Sequence, residues 1–208
     1  VLQYFSNSFE RLRLRLKKKY NLYIFSELNA RSLEIASDMW NCAKKSGHQL
    51  EIVFCCSDKK DSVNTDQEKS ARRLNAVLLP EEIIHVRLNS CQRTVDYYMI
   101  SEDDDTNVDQ TLKMIDDMTG GSVWYTQRRL CQRNVTIHCY ASNAEAEILI
   151  DAKEKEDLKV ILVDEVRDAV YEQLYEYPLY TNKEMLVGQK NDTITLLIAG
   201  CGKAGSEF

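Results

Sequence analysis

A chain of 208 residues with 44% apolar and 29% charged content can bury one core of ordinary domain size, and its composition is that of a soluble globular protein, neither disordered nor fibrous. No run approaches the roughly 18 apolar residues that a membrane span needs. The net charge of −6 is unevenly spread: six Lys and Arg against Glu10 alone give residues 1–20 about +5, leaving an acidic remainder of about −11 that argues against nucleic acid as the main partner.

The chain opens on VLQYFSNSFERLRLRLKKKY, arginine alternating with leucine before three lysines. One reading is a helix or linker with a solvated charged face. The other is a juxtamembrane segment at residues 1–19, following a span before Val1: basic residues there match the positive-inside bias and gain roughly 1 kcal/mol each near anionic headgroups. RNA binding is disfavoured, because no aromatic-rich strand platform accompanies the segment.

From Tyr20 onward short apolar runs alternate with segments of helical period. Leu22–Phe25 reads as a strand, and Leu33, Ile35, Ala36, Met39 and Trp40 recur at helix spacing until Gly47. Leu50–Cys55 is a second strand, followed by a helix near Gln67–Asn75 and a short third strand at Ile83–Val86. Then come a strand at Val95–Ile100, a helix at Val108–Met118 ended by Gly120 and Gly121, a strand at Val135–Tyr140, a helix at Ala144–Ala152, a strand at Val160–Val163 and a helix at Val166–Leu174, stopped before Pro178. Six apolar strands alternating with helices predict an α/β fold: a doubly wound, mostly parallel Rossmann-type sheet covered by helices on both faces.

Thr181–Asp192 reads as a linker, and Thr193–Ala199 as the first strand of a second unit. Gly200, Gly202 and Gly205 then fit G-x-G-x-x-G directly after an apolar strand, the context in which that spacing cradles a phosphate. Their position three residues from the end suggests a second Rossmann-type domain cut at its first turn; Gly-Ser-Glu-Phe alternatively reads as a vector-encoded tail.

Seven cysteines without a C-x-x-C pair, two of them (Cys55 and Cys139) inside apolar runs, favour free thiols in a reducing cytoplasm over a disulfide framework. The three histidines are scattered, which disfavours a sequence-local zinc site.

In an open parallel sheet ligands sit beyond the carboxyl ends of the strands. After the first strand comes Ser26-Glu27-Leu28-Asn29-Ala30-Arg31-Ser32, without a glycine. Glu27 repels an anion there, whereas Arg31, Ser32 and the helix N-terminus attract one. Ser26 or Asn29 capping the helix is the simpler reading. Asp58, after the second strand, stands where a carboxylate can accept ribose hydroxyls. After the fourth strand, Ser101-Glu102-Asp103-Asp104-Asp105-Thr106-Asn107 either gathers a cation or complements the helix dipole, with Thr106 or Asn107 as cap.

This layout, with "ISEDDDTN" after the fourth strand, resembles the N-terminal domain of TrkA-type and regulator-of-conductance-of-potassium (RCK) proteins. "LKVILVDEVRDAVYEQLYEYPLY" is similar to the last strand and helix of such domains, including those of Castor/Pollux-type channels, and "YIFSELNARSLEIA" to the opening of bacterial proteins with TrkA-N-like repeats. The resemblance spans about Tyr20 to Tyr180 and departs where "SELNARS" replaces the family's glycine-rich turn. It implies a site lined by Ser26, Asn29, Arg31, Asp58, Ser101, Asp103 and Asn107, with NAD(H) or another adenine nucleotide as cofactor. It also implies a homodimer, and a cytosolic module that senses a nucleotide or ion for a channel or transporter. No catalytic motif accompanies these residues: there is no nucleophile elbow, no P-loop lysine motif and no histidine beside a recognisable acid. An NAD(P)-dependent oxidoreductase or epimerase using the 200–205 loop, and a degenerate domain kept for assembly alone, are the alternatives.

Overall fold

The computed structural model describes residues 12–14, 20–56, 65–86, 94–119, 135–142 and 158–176. The chain divides into two compact units, Val1–Leu162 and Val163–Phe208.

In the first unit, β1 (Asn21–Phe25) leads through α1 (Ala30–Ser46) to β2 (Leu50–Cys55), and α2 (Thr65–Arg73) leads to β3 (Val77–Leu79). A single 3-10 turn at Ile83–His85 precedes β4 (Val95–Met99), α3 (Asp104–Thr119), β5 (Val135–Tyr140) and β6 (Lys159–Val163). The six strands form one all-parallel sheet in the order β3-β2-β1-β4-β5-β6. From β1 the chain steps outward to β3, crosses back to β4, and steps outward the other way. This is the strand order of the doubly wound Rossmann fold, and its direction reverses between β1 and β4.

Strand periodicity sorts the side chains onto two faces. Leu22 and Ile24 of β1 share one face with Val53 and Cys55 of β2, Val95, Tyr97 and Met99 of β4, and Val135 and Ile137 of β5. These residues form one buried cluster with Met114, Ile115 and Met118 of α3, with Ile83 of the 3-10 turn and Val86 just after it, and with Leu14 from the basic N-terminal stretch. Leu14 is 4% exposed, and its neighbour Arg13 lies 2.8 Å from the buried Glu51 carboxylate and donates to the Asn75 carbonyl at 2.6 Å. At least these two residues of the basic segment therefore belong to the body of the fold.

The other face carries a ladder of rings across four strands. Phe54, Phe25, Tyr98 and His138 are successive cross-strand partners. Their ring centroids are 5.2, 4.8 and 4.4 Å apart, the last pair parallel at 0°. The right-handed crossover rule lays α1 on this face, and its buried residues are the small Ser32, Ala36 and Ala43, which allow a close approach to the rings. Gly47 ends α1 in the left-handed region at φ 71°, its N–H bonded to the Ala43 carbonyl.

Two elements are placed differently from the sequence expectation by more than a residue or two. The third strand is Val77–Leu79, and Ile83–Val86 is instead a tight turn that drops Ile83 into the core. Pro80, which lacks an N–H, stops β3 after three residues, too few to show a period. The helix expected from Val108 begins a turn earlier, at Asp104, because the acidic run supplies its cap and first turn. The helix expected at Ala144–Ala152 and the linker at 181–192 lie outside the described residues.

Of the second unit the described part is Val163–Glu176. There α4 (Glu165–Glu176) is capped by Asp164, whose Oδ1 accepts the N–H groups of Val166 and Arg167 at 3.1 Å each.

Candidate functional site at the strand tips

The reversal of strand order between β1 and β4 splays their outgoing turns to opposite faces, and the sequence fills this place with side-chain-to-backbone bonds. Past Phe25, the Ser26 N–H extends the ladder to the Tyr98 carbonyl at 2.9 Å, and Ser26 Oγ accepts the Ile100 N–H at 2.8 Å. Asn29 Nδ2 donates to the Ile100 carbonyl at 2.7 Å. Both backbone groups of Ile100 are thus held by the turn after β1. Asn29 also caps α1: its Oδ1 accepts the Ser32 N–H at 2.8 Å, while its own N–H donates to Ser32 Oγ at 3.0 Å. This is a capping box with serine in the position usually held by glutamate.

The turn after β4 is joined to β5 in the same way. Asn107, fully buried in the first turns of α3, accepts the Ser101 N–H through Oδ1 at 2.7 Å and donates through Nδ2 to the carbonyls of Ser101 at 3.2 Å and Tyr140 at 2.8 Å. Asp104 Oδ2 accepts the N–H and hydroxyl of Ser142 at 3.0 and 2.8 Å. Asp103, and neither Thr106 nor Asn107, caps α3. Its carboxylate takes the hydroxyl and the N–H of Thr106, and these bonds hold it below the usual carboxylate range. The cap moves to Asp103 because the helix begins one turn earlier than the apolar period suggests.

Arg31 is the cation of the site. From the first turn of α1 its guanidinium reaches 4.7 Å from the centroid of Tyr140, the last residue of β5. In the sheet order β4 lies between β1, which leads into α1, and β5, so the contact spans the β4 tip. Such a contact is worth roughly 0.5–2 kcal/mol. Glu27 is exposed in the same turn and lies toward β2, where its charge, after burial and Glu68, helps push the Cys56 thiol up to about 11. Burial likewise raises Cys139 to about 11 and Cys55 well above the ordinary thiol value.

Ser26, Glu27, Asn29, Arg31, Ser101, Asp103 and Asn107 therefore gather at the tips of β1 and β4. Asp58, Gly200, Gly202 and Gly205 lie outside the described residues. Tyr140 and Ser142 join the site unannounced by any motif, and Asp104, one of the acidic run, is turned to Ser142; the signal for Tyr140 and Ser142 was their place at the end of β5, legible only once β5 is known to neighbour β4.

No histidine neighbours a recognisable acid along the chain, yet the sheet sets one there. His138 Nε2 lies 3.9 Å from Asp96 Oδ1, an ion pair only when the imidazole is protonated. Asp96 also raises the hydroxyl pKa of Tyr98 and Tyr23, second to burial in both cases. The pair sits on the ring-bearing face, two residues before the β5 tip and three before that of β4, so it is set back from the crevice.

Among the described residues no cluster of three or more His, Cys, Asp and Glu is placed to hold a metal ion, and no helix is long and apolar enough to cross a membrane. Comparison with family models, with curated proteins and with solved structures gives no match.

Proposed function

We propose that this chain is a sensing module that takes a phosphate-bearing small molecule of the nucleotide class at the β1/β4 reversal and passes its occupancy to an attached partner. The observation that carries this reading is the reversal of strand order between β1 and β4, with Arg31 in the first turn of α1 set over Tyr140 at the tip of β5. Open parallel sheets bind ligands at such points. A helix N-terminus favours anions, and a guanidinium supplies a charge that does not titrate away. The residues at the tips are hydrogen-bonded amides, hydroxyls and a capping carboxylate, a set suited to holding a ligand rather than transforming it. Binding that prefers one arrangement of the module shifts the population toward that arrangement. The resemblance to RCK domains supplies the effector in this proposal, a membrane-embedded ion pathway regulated by paired modules.

Calorimetric titration with AMP, ADP, ATP and NAD(H) tests the reading. At least one ligand binds, and Arg31→Ala weakens it tenfold or more. A second reading, a Rossmann-type domain kept for assembly, is favoured by the bonding of the Ser26, Asn29 and Asn107 side chains to backbone groups. Silence toward the whole panel by a folded chain decides for it.

A further inference from the structure

The turn after β1 carries information about ligand class that rests on the nucleotide reading and narrows it. In a dinucleotide-binding turn the first, third and sixth positions are glycines: the first makes the bend, the second lets backbone meet the pyrophosphate, and the third lets helix and strand pack closely. The corresponding positions here hold Ser26, Leu28 and Arg31. Leu28 is 6% exposed, so its isobutyl group is fixed in packing at the position where absence of a side chain admits the pyrophosphate. Ser26 and Asn29 close the same passage from the other side. Their 2.8 and 2.7 Å bonds to Ile100 bring the β1 and β4 turns into direct contact where a dinucleotide crosses between them. The third position, ordinarily the point of close helix–strand packing, instead sends a guanidinium over the β5 tip.

We infer that this site excludes ligands whose two halves are bridged by a pyrophosphate and selects a terminal phosphomonoester, received by Arg31 on the β4–β5 side of the crevice. Leu28, Ser26 and Asn29 are then the specificity-determining residues, and Arg31 the phosphate contact.

The test is calorimetric titration of the full chain with AMP and ribose 5-phosphate against NAD+ and ADP-ribose, in the wild type, Leu28→Gly and Arg31→Ala. Leu28→Ala stands in if the glycine variant fails to melt cooperatively. The wild type binds the monoesters at least tenfold more tightly than the pyrophosphate-bridged pair. Leu28→Gly narrows that ratio at least tenfold, and Arg31→Ala abolishes monoester binding. NAD+ binding the wild type as tightly as AMP overturns the inference and leaves the nucleotide reading standing. A wild type silent to all four probes, beside a Leu28→Gly variant that binds NAD+, upholds the exclusion and overturns the monoester site. Silence from every protein toward every probe overturns both.

Discussion

Replacing Asn107 with alanine separates a residue that builds the site from one that merely borders it. The Asn107 side chain is fully buried and makes three hydrogen bonds, to the N–H and carbonyl of Ser101 and to the carbonyl of Tyr140. Each such bond is worth about 1 kcal/mol net, and a buried backbone group that loses its partner costs about 1–3 kcal/mol. The 3.2 Å bond is the weakest of the three. Water admitted to the small space left by the amide recovers part of the loss. The sum is about 3–4 kcal/mol, a large share of the roughly 5–15 kcal/mol by which such domains are stable. For a domain of this size that lowers the melting temperature by roughly 6–16 °C, at about 2–4 °C per kcal/mol. Urea denaturation of wild type and variant, followed by far-UV circular dichroism, reads it as a lowered midpoint at unchanged slope. Hydrogen exchange adds a local signature: the Ser101 amide loses protection in the variant while the β1 and β2 amides keep theirs relative to global stability. A variant within about 0.5 kcal/mol of wild type, the range of ordinary surface substitutions, refutes the reasoning, because it means the tips of β4 and β5 are not tied through this amide.

Arg13→Ala removes the guanidinium beside a buried Glu51 carboxylate; the expected loss is about 3 kcal/mol, the lower part of the range for breaking a buried pair because Arg13 is partly exposed, and a denaturation midpoint equal to wild type contradicts the docked N-terminal turn. Alkaline stability follows from the thiols. Cys56 and Cys139 titrate near 9.0 when unfolded and at about 11 in the fold, so their contribution is complete below pH 9 and is lost as pH rises to about 11. At about 1.36 kcal/mol per unit each supplies at most roughly 2–3 kcal/mol, and a Cys56→Ser variant shows a correspondingly shallower decline in urea midpoints between pH 8 and 11. Alkylation with peptide mapping orders the described thiols, with exposed Cys42 labelled first and buried Cys55 and Cys139 only on unfolding; rapid native labelling of Cys139 contradicts its place in the sheet. Gly47→Ala meets no atom within 4 Å and so isolates the backbone strain of a left-handed φ, about 1 kcal/mol by thermal denaturation.

The fold was legible in the sequence wherever one segment carried its own period. β1, β2, β4, β5 and β6 are mostly apolar runs of five or six residues, and α1 was marked at its end by Gly47. Features that depend on neighbours were not legible. Val77–Leu79 is too short to show alternation, and only pairing with Val53–Cys55 makes it a strand. Arg13 and Leu14 looked like part of a charged repeat, because nothing local says that Glu51 is buried and needs a cation. The site residues Ser26, Asn29, Arg31, Ser101 and Asn107 were legible as residues that follow strands, a consequence of where parallel sheets bind. Their bonds were not legible, since Asn29 reaches a carbonyl 71 residues away and Asn107 one 33 residues away. Asp96 and His138 meet for a similar reason, on adjacent strands whose order no local pattern encodes.

The central claim is that the reversal between β1 and β4 is a ligand site with Arg31 as its cation. Amide chemical-shift mapping of the isotopically labelled chain during titration with AMP tests it most directly. Saturable shifts confined to Ser26–Ser32, Ile100–Ser101 and Tyr140–Ser142 are expected, and they disappear in Arg31→Ala. Shifts that cluster elsewhere, or that persist unchanged without the guanidinium, contradict it.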